Sequence, residues 1–392
     1  MSPIDPGALA RHYTRFDVTS RLLLTGHSHQ AWPDCALEGQ IEAWEDAARW
    51  LDRKWERAFA KADCVRRGFA GLLGDTDGEY TLAPNTHDLL VRFLSALPYR
   101  TRRKLVTTDS EFHTVSRQLA RLSEEDVEVV YVPALPAATV GERLAAQVDT
   151  HTAAVIVSAV FFDSGQVAGG LEAVAEATER AGAELLVDVY HALDAIPWRL
   201  GEHGLQQAFI MGGGYKYCQL GEGNCFLRYP RDCGLRPVFT GWFADFAALA
   251  DPGAAKVTYG APGGRFAGAT YDPVSHYRAA RVFAFFEEHA LTPERLRALN
   301  RTQLSQIYTA VDAVDAPEWL LWWDRRVPLE RRGAFAVFHS PAAAHICTAL
   351  GERGVYADHR GEKLRLGPAP YTTDRQIADA VAALAEVLRD LY

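Results

Sequence analysis

The sequence predicts an α/β protein with a mostly parallel central sheet and helices on both faces, and three observations support this fold class. Before residue 251, short runs rich in β-branched residues alternate with stretches of helical periodicity. Residues 153–160 (AAVIVSAV) form a continuous apolar run, as expected of a strand that is buried on both faces. After residue 264 the pattern becomes helix-rich, which indicates a second, smaller α+β layer.

The strands of the central sheet are predicted from short apolar runs. They are residues 105–107, 127–132, 153–160, 184–189 and 208–211. Between them, helices are predicted over residues 85–97, with Asn85 or Thr86 as N-cap, and over residues 171–181, where Gly182 ends the helix.

The second layer is predicted from the last third of the chain. Its helices are residues 273–289, 293–313 and 374 to the C-terminus, and its strands are residues 335–339 and 363–366. A Trp-rich helix over residues 37–59 is expected to complete this layer. The Pro/Gly-rich stretch 251–264 is the predicted boundary.

Composition and charge exclude several classes of protein. The 392 residues include 41 Lys and Arg against 50 Asp and Glu, so the formal net charge is −9. This balance argues against binding to nucleic acid or to an anionic membrane surface, while a small anion held by local donors stays possible. None of the six cysteines forms a CxxC pair, so neither a metal site nor a disulfide framework is predicted. No apolar stretch has the length of a signal-peptide core or of a membrane span, and we expect a cytoplasmic protein.

Two predicted strands end in residues that carry chemistry. Asp188 ends the run ELLVDV, and His191 follows three positions later. The run AFIM continues into three glycines and then Tyr215 and Lys216. Ligands of such sheets bind at the carboxyl ends of the strands. A lysine can form a Schiff base with pyridoxal phosphate, and a carboxylate keeps the pyridine nitrogen protonated, so this pair predicts a pyridoxal phosphate site.

A phosphate site is predicted at the start of the helix over residues 85–97. The turn APNTHD offers the Asn85 cap, the Thr86 hydroxyl and the free backbone N–H groups of a helix N-terminus. Such a site holds a phosphate without a basic patch, which suits an acidic protein.

The stretch LLVDVYHALDAIP…GGGYKYCQLGEGNCFLR resembles the class V aminotransferase superfamily of fold-type I pyridoxal phosphate enzymes, and kynureninase-like members above all. The resemblance implies that Asp188, His191, Tyr215 and Lys216 form the cofactor site. It also implies three domain segments: residues 1–60 contributing to a small domain, residues 61–255 forming the large cofactor-binding domain, and residues 256–392 forming the C-terminal small domain.

The resemblance extends to further cofactor contacts. Thr86 matches the family's phosphate-binding position, and Phe112, in TTDSEFHT, matches the aromatic ring that covers the pyridine. Trp242, in the family's GW segment, is implied to approach the phosphate. Thr270, in AGATYDPVS, is implied to reach the same phosphate from a partner subunit. The protein is therefore expected to be a homodimer with shared active sites.

The substrate site is implied by two weaker similarities. LRLGPAPYTTD resembles the family's RFG-x-x-P-LY segment, whose arginine binds the substrate α-carboxylate, and this selects Arg365. LLLTGHSHQAWP only loosely resembles the substrate-contacting opening, where His29 is a candidate; a capped loop before the first helix is the alternative. The sequence departs from the family by reading CQLGEGNC after Tyr215-Lys216 where kynureninase-like members have Asn-x-Gly-Pro-Gly.

These similarities imply hydrolytic Cβ–Cγ cleavage of a kynurenine-type amino acid, with Lys216 moving the α-proton, Asp188 holding the pyridine nitrogen and Tyr215 as a candidate for a second proton transfer. Transamination, racemisation and β-elimination use the same site and stay open. A catalytically silent cofactor-binding regulator is the non-enzyme alternative, although no DNA-binding module accompanies the domain. A desulfurase needs a reactive cysteine in the C-terminal third, where Cys347 lies at an apolar helix position.

Overall fold

The computed structural model describes residues 3–250, 256–260 and 263–391. Its strands form one large sheet and two smaller ones. In chain order the strands are β1 (Leu22–Leu23), β2 (Glu79–Ala83), β3 (Lys104–Thr108), β4 (Glu128–Val132), β5 (Thr152–Ser158), β6 (Glu184–Asp188), β7 (Phe209–Gly213), β8 (Cys225–Tyr229), β9 (Ala336–His339), β10 (Val355–Tyr356), β11 (Asp358–Arg360) and β12 (Lys363–Leu366).

The helices cover both faces of the large sheet and surround the smaller ones. In chain order they are α1 (Pro6–Ala10), α2 (Cys35–Trp50), α3 (Lys54–Leu73), α4 (Thr86–Ala96), α5 (His113–Ser123), α6 (Val140–Ala145), α7 (Leu171–Ala181), α8 (Val274–Glu288), α9 (Pro293–Asp312), α10 (Ala343–Glu352) and α11 (Asp374–Arg389). None of the helices in the described ranges has both the length and the apolar character needed to cross a membrane.

The large sheet has seven strands in the order β2-β8-β7-β6-β5-β3-β4. The strands from β7 to β4 pair in parallel, and β8 and β2 add an antiparallel edge. Ser158 and Asp188 lie side by side at the ends of β5 and β6, and Asp188 pairs with Met211 of β7. The predicted mostly parallel sheet is confirmed, and its carboxyl ends bring distant parts of the chain to one edge.

Alternation along β5 explains why this strand is apolar between its terminal residues, Thr152 and Ser158. Val155 and Val157 pack into the core on one face of the sheet, and Ala154 and Ile156 pack into the core on the other. A strand that is covered twice has no position left for a polar side chain.

Each predicted strand overlaps an observed strand, and the predicted helices are found except for the one over residues 37–59. Strands β2 and β8 were not predicted, because β8 (CFLRY) carries the buried Arg228 inside its apolar run, and β2 is short. Arg228 is tolerated there because its guanidinium forms a bidentate pair with Asp75. At the start of α4, Asn85 is the N-cap and accepts a hydrogen bond from the Asp88 backbone N–H at 2.8 Å, as expected.

The single helix predicted over residues 37–59 is wrong. The chain forms α2 and α3 instead, separated by a short 3-10 turn in which Leu51 has a φ of 50°. The break lets both helices pack closely on α8. A Cβ at Gly39 would lie 2.6 Å from the Tyr277 carbonyl oxygen, and one at Gly68 would lie 2.6 Å from the Phe283 ring.

The smaller sheets belong to the C-terminal third. Strands β11, β12 and β9 form an antiparallel sheet, and β1 pairs in parallel with β10. The N-terminal segment therefore joins this layer through β1. The Trp-rich helices do not complete it, because Ala36 of α2, Phe69 of α3 and Val282 of α8 pack into the core of the large sheet. Residues 251–255 and 261–262 of the predicted boundary lie outside the described residues, and the three domain segments stay a prediction.

Candidate active site

A cavity of about 260 Å³ opens at the carboxyl ends of β5, β6 and β7. Seven of the predicted site residues line it: Asn85, Thr86, Phe112, Asp188, His191, Tyr215 and Lys216. They come from four separate parts of the chain. The parallel sheet brings them together, because its strand ends all lie at one edge.

Lys216 is the buried cation of this cavity. Its side chain is 7% exposed, and its Nζ lies 2.7 Å from the His191 Nε2. Its Nζ also lies 4.9 Å from the centre of the Tyr190 ring and 5.7 Å from that of Phe112. Burial lowers the pKa of Lys216 to about 7, although the charge of Asp188 opposes this shift. A large fraction of the amine is therefore neutral, and so nucleophilic, near pH 7.

Asp188 supplies the buried carboxylate at the end of β6. Its oxygen Oδ1 accepts a hydrogen bond from the Tyr190 backbone N–H at 2.8 Å. Burial raises the pKa of Asp188, and the Tyr190 bond and the Lys216 charge act in the opposite direction. The turn contact resembles that of a capping aspartate, but no α-helix begins at this point, and the carboxylate lines the cavity.

The opposite wall is the N-terminus of α4. Because Asn85 caps the helix, the backbone here presents N–H groups at the positive end of an 11-residue helix dipole, with Thr86 beside them. Phe112 adds an aromatic ring before α5, set edge-to-face against Phe162 with the ring centres 5.7 Å apart. The cavity fits the parts of a phosphorylated pyridine aldehyde. It offers an anion site for the phosphate, a flat aromatic surface for the ring, a buried carboxylate for the ring nitrogen and a buried amine for the aldehyde.

Three comparisons place this chain among known proteins. The model of the kynureninase C-terminal domain matches residues 326–384. Over 384 residues the chain is 27% identical to a kynureninase of Pseudomonas fluorescens, covering 94% of this chain and 89% of that one. Over 352 residues it is 24% identical to the "uncharacterized aminotransferase YcbU" of Bacillus subtilis, covering 88% and 89%.

The fold is shared with solved structures. The apo structure of a cysteine desulfurase from Thermococcus onnurineus superposes with a TM-score of 0.81 at 15% identity, covering 100% of both chains. A C-DES mutant with glycine covalently linked to its pyridoxal phosphate cofactor also gives 0.81, at 14% identity, covering 96% and 99%. The resemblance to the class V aminotransferase superfamily, and to kynureninase-like members in particular, is confirmed by these matches. The protein is an enzyme, and its cofactor is pyridoxal 5'-phosphate.

Arg365, which the family resemblance selects for the substrate carboxylate, lies beside the cavity and does not line it. It is 3% exposed and donates from Nε and Nη2 to the two oxygens of Asp358, at 2.8 and 2.5 Å. Its Nη1 donates to the Phe162 carbonyl oxygen at 2.6 Å. A guanidinium has five N–H donors, so two remain for a ligand, one on Nη1 and one on Nη2.

Asp358 and His27 complete this arrangement, and the sequence did not single out either for it. The His27 Nε2 lies 2.8 Å from Asp358 Oδ1. Burial lowers the pKa of His27 to about 4, so the ring is neutral and donates this bond. The pairing of β11 with β12 could have identified Asp358, because the turn between these strands places it directly opposite Arg365.

Glu111 is a second residue that the sequence did not assign to the site. Its oxygens accept hydrogen bonds from the Ser158 Oγ at 2.6 Å and the Thr108 Oγ1 at 2.7 Å. Burial raises the pKa of Glu111 to about 7, helped by the charge of Asp188. Through Ser158, which lines the cavity, this carboxyl group supports the floor of the site.

His29 lies at the rim. Its ring stacks on Tyr215 with centres 4.7 Å apart, while 60% of its side chain is exposed. It therefore contacts a residue of the cavity without lining the cavity itself.

Trp242 and Thr270 lie outside this cavity and are exposed to solvent. Their segments touch each other, since the Phe243 backbone N–H donates to the Gly268 carbonyl oxygen at 3.0 Å. Their contact with a partner's phosphate stays a prediction. In the described part of the chain, no group of three or more His, Cys, Asp or Glu side chains is arranged to hold a metal ion.

Proposed function

We propose that this enzyme hydrolyses the Cβ–Cγ bond of a kynurenine-type α-amino acid, as kynureninase-like enzymes do. Water supplies a hydroxyl to the Cγ acyl group and a proton to Cβ, so the products are anthranilate and alanine when the substrate is L-kynurenine. The observation that carries this proposal is that the buried Lys216 amine and Asp188 line the same cavity as the rings of Phe112 and Phe162. Such a wall suits an aromatic side chain.

The cofactor would be held at four points. Lys216 would bind its aldehyde carbon, Asp188 its pyridine nitrogen, the N-terminus of α4 with Thr86 its phosphate, and Phe112 would cover its ring. When bound, pyridoxal phosphate supplies an electron sink for bonds broken at the amino acid.

Proton transfer at the α-carbon belongs to Lys216 Nζ in this proposal. Its pKa near 7 lets the amine accept a proton and return it without a large energetic penalty. His191 stays neutral because burial lowers its pKa, so its Nε2 can accept a hydrogen bond from the amine and hold it in place.

Tyr215 is the candidate for the second proton transfer. Burial raises the pKa of its hydroxyl to about 12, so at neutral pH it carries a proton that it can donate. Its ring centre lies 5.8 Å from the Lys216 Nζ, on the side of the cavity where His29 stacks.

The substrate carboxylate is assigned to the two free donors of Arg365. Asp358 fixes the plane of the guanidinium, so these donors keep a constant direction. The Phe162 carbonyl links Arg365 to the aromatic wall of the cavity.

A transaminase, racemase or β-lyase is the second candidate, because the same residues would serve it and one relative is named an aminotransferase. The structural neighbours named as desulfurases show the fold alone. Cys347 is a poor nucleophile here, because its Sγ donates to the Ala357 carbonyl oxygen at 3.2 Å and burial raises its pKa.

The assembly is proposed to be a cytoplasmic homodimer that shares active sites. Exposed apolar side chains surround the GW segment, as a subunit contact would require: Val238, Phe239, Trp242 and Phe246. The six cysteines are free thiols, which suits a reducing compartment.

The deciding experiment is turnover by the cofactor-loaded enzyme. We expect L-kynurenine to give anthranilate and alanine in equal amounts, and 3-hydroxykynurenine to give the hydroxylated product, both followed by mass spectrometry. Formation of a keto acid from the amino group would favour the aminotransferase. No conversion of either substrate, with the cofactor spectrum intact, would reject the kynurenine proposal while leaving the family assignment untouched.

A further inference from the structure

Asp194 is a buried acid for which the proposed reaction has no use. Among the described residues, the buried acids are Glu111, Asp188 and Asp194. The first two accept hydrogen bonds, whereas neither carboxylate oxygen of Asp194, which is 4% exposed, has a hydrogen-bond partner in the described chain. An ionised carboxylate without a partner is costly to bury, so something must compensate it.

A small cavity adjoins this carboxylate. Its volume is about 20 Å³, enough for one water-sized particle. Besides Asp194, the polar side chains that line it are Gln30, Tyr217, Asn300 and Gln303.

Two of the three amide groups of this cavity, those of Asn300 and Gln303, donate hydrogen bonds from nitrogen to backbone carbonyl groups. Gln303 Nε2 donates to the carbonyl oxygens of Ala369 and Thr372, at 2.9 and 2.8 Å. Asn300 Nδ2 donates to the Ala334 carbonyl oxygen at 3.2 Å. The Asn300 oxygen also accepts a hydrogen bond from Arg297 at 3.4 Å, and the Gln30 oxygen accepts one from Gln219 at 2.8 Å. The two Asp194 oxygens and the Gln303 oxygen are therefore the acceptors left for a ligand, and such oxygens suit a hard cation.

We propose that this cavity binds a single monovalent cation, in the class of Na⁺, K⁺ or NH₄⁺, with Asp194 as its charged ligand. One carboxylate balances one positive charge. The volume excludes a hydrated ion, so the oxygens of the cavity replace the water shell.

The position of the site suggests what the cation does. Tyr217 follows Lys216, and its hydroxyl lies 3.4 Å from the His191 Nδ1. Asp194 follows His191 by three residues, and the cavity is closed by the Pro368–Pro370 segment that follows Arg365 and by Gln30 from the N-terminal segment. A bound cation would tie these four segments together and stabilise the folded enzyme.

The test is the thermal stability of the cofactor-loaded enzyme without substrate. The protein is exchanged into tetramethylammonium chloride, whose cation is too large for the cavity, and then into the Li⁺, Na⁺, K⁺ or NH₄⁺ salt at the same ionic strength. We expect at least one of the small cations to raise the Tm saturably, by roughly 2 to 5 °C.

Two variants make the result specific. Asp194→Asn should abolish the cation dependence. Asp126→Asn should keep it, because Asp126 has the same φ of 60° as Asp194 but is exposed. A Tm equal in all salts, or an equal response of wild type and Asp194→Asn, would overturn the proposal in favour of a protonated carboxylic acid beside one water.

A second measurement does not depend on the stability of a variant. Wild-type crystals soaked in a rubidium or thallium(I) salt should show an anomalous peak beside Asp194. Its absence at saturating salt would equally rule out the site, whatever the enzyme does with kynurenine.

Discussion

Lys216 and Arg365 are both almost fully buried cations, but their surroundings differ. Arg365 is paired through two hydrogen bonds with Asp358. Although burial acts in the opposite direction, the hydrogen bonds from His27 and Arg365 hold the pKa of the Asp358 carboxyl well below its ordinary value. Lys216 makes its close contact with the neutral His191 instead, and its pKa falls to about 7. A buried charge with a full partner stays charged and fixed, while one without it becomes able to exchange its proton near neutral pH. Arg365 is therefore suited to binding a substrate carboxylate, and Lys216 is suited to proton transfer.

The largest effect on this difference is expected from substitution of Lys216. Lys216→Ala should lower kcat by about 10³-fold or more, since it removes the proton-transfer group. Borohydride should no longer fix the cofactor to the protein. Lys104→Ala is the matched control, because Lys104 is also buried but pairs with Asp149. Lys104→Ala should lower the stability of the enzyme and leave kcat unchanged. If borohydride still fixed the cofactor to the Lys216→Ala variant, the proposed role of Lys216 would be wrong.

A smaller effect is expected at Arg365. Arg365→Ala should raise KM for the amino acid about 10- to 100-fold, the equivalent of one charge-assisted contact, with a lesser change in kcat. Arg228→Ala removes an equally buried arginine with its own bidentate partner, Asp75, and serves as the control. It should lower the Tm without changing KM. Steady-state kinetics of both variants decide the point, and an unchanged KM in Arg365→Ala would remove this residue from the substrate site.

The smallest expected effect is in the pH dependence of cofactor capture by the apoprotein. Only the neutral Lys216 amine attacks the cofactor aldehyde, and a pKa lowered to about 7 means that the amine is mostly neutral above this pH. The capture rate should rise about tenfold per pH unit below pH 7 and level off above it. Stopped-flow absorbance measures this profile. A rate that keeps rising towards pH 10 would mean that the lysine is solvated.

Local sequence patterns were sufficient for the parts of the fold that depend on near neighbours. Apolar runs predict β5, β6 and β7 because strands that are covered on both faces are mostly apolar. The Asn85 cap lies within three residues of the N–H group that it binds. Asp188 and Lys216 were found because strand ends of a parallel sheet meet at one edge. The antiparallel strands β2 and β8 were missed. In β8, the partner that allows the buried Arg228 is 153 residues away.

Local periodicity and strand order were enough to predict a parallel sheet with a lysine and an aspartate at its carboxyl edge. Long-range packing was needed to show that His27 and Asp358, 331 positions apart, hold Arg365, and that Asp194 lacks a hydrogen-bond donor among the described residues. Whether a buried charge is paired depends on groups that long-range packing brings within about 3 Å. No pattern within one segment contains that information.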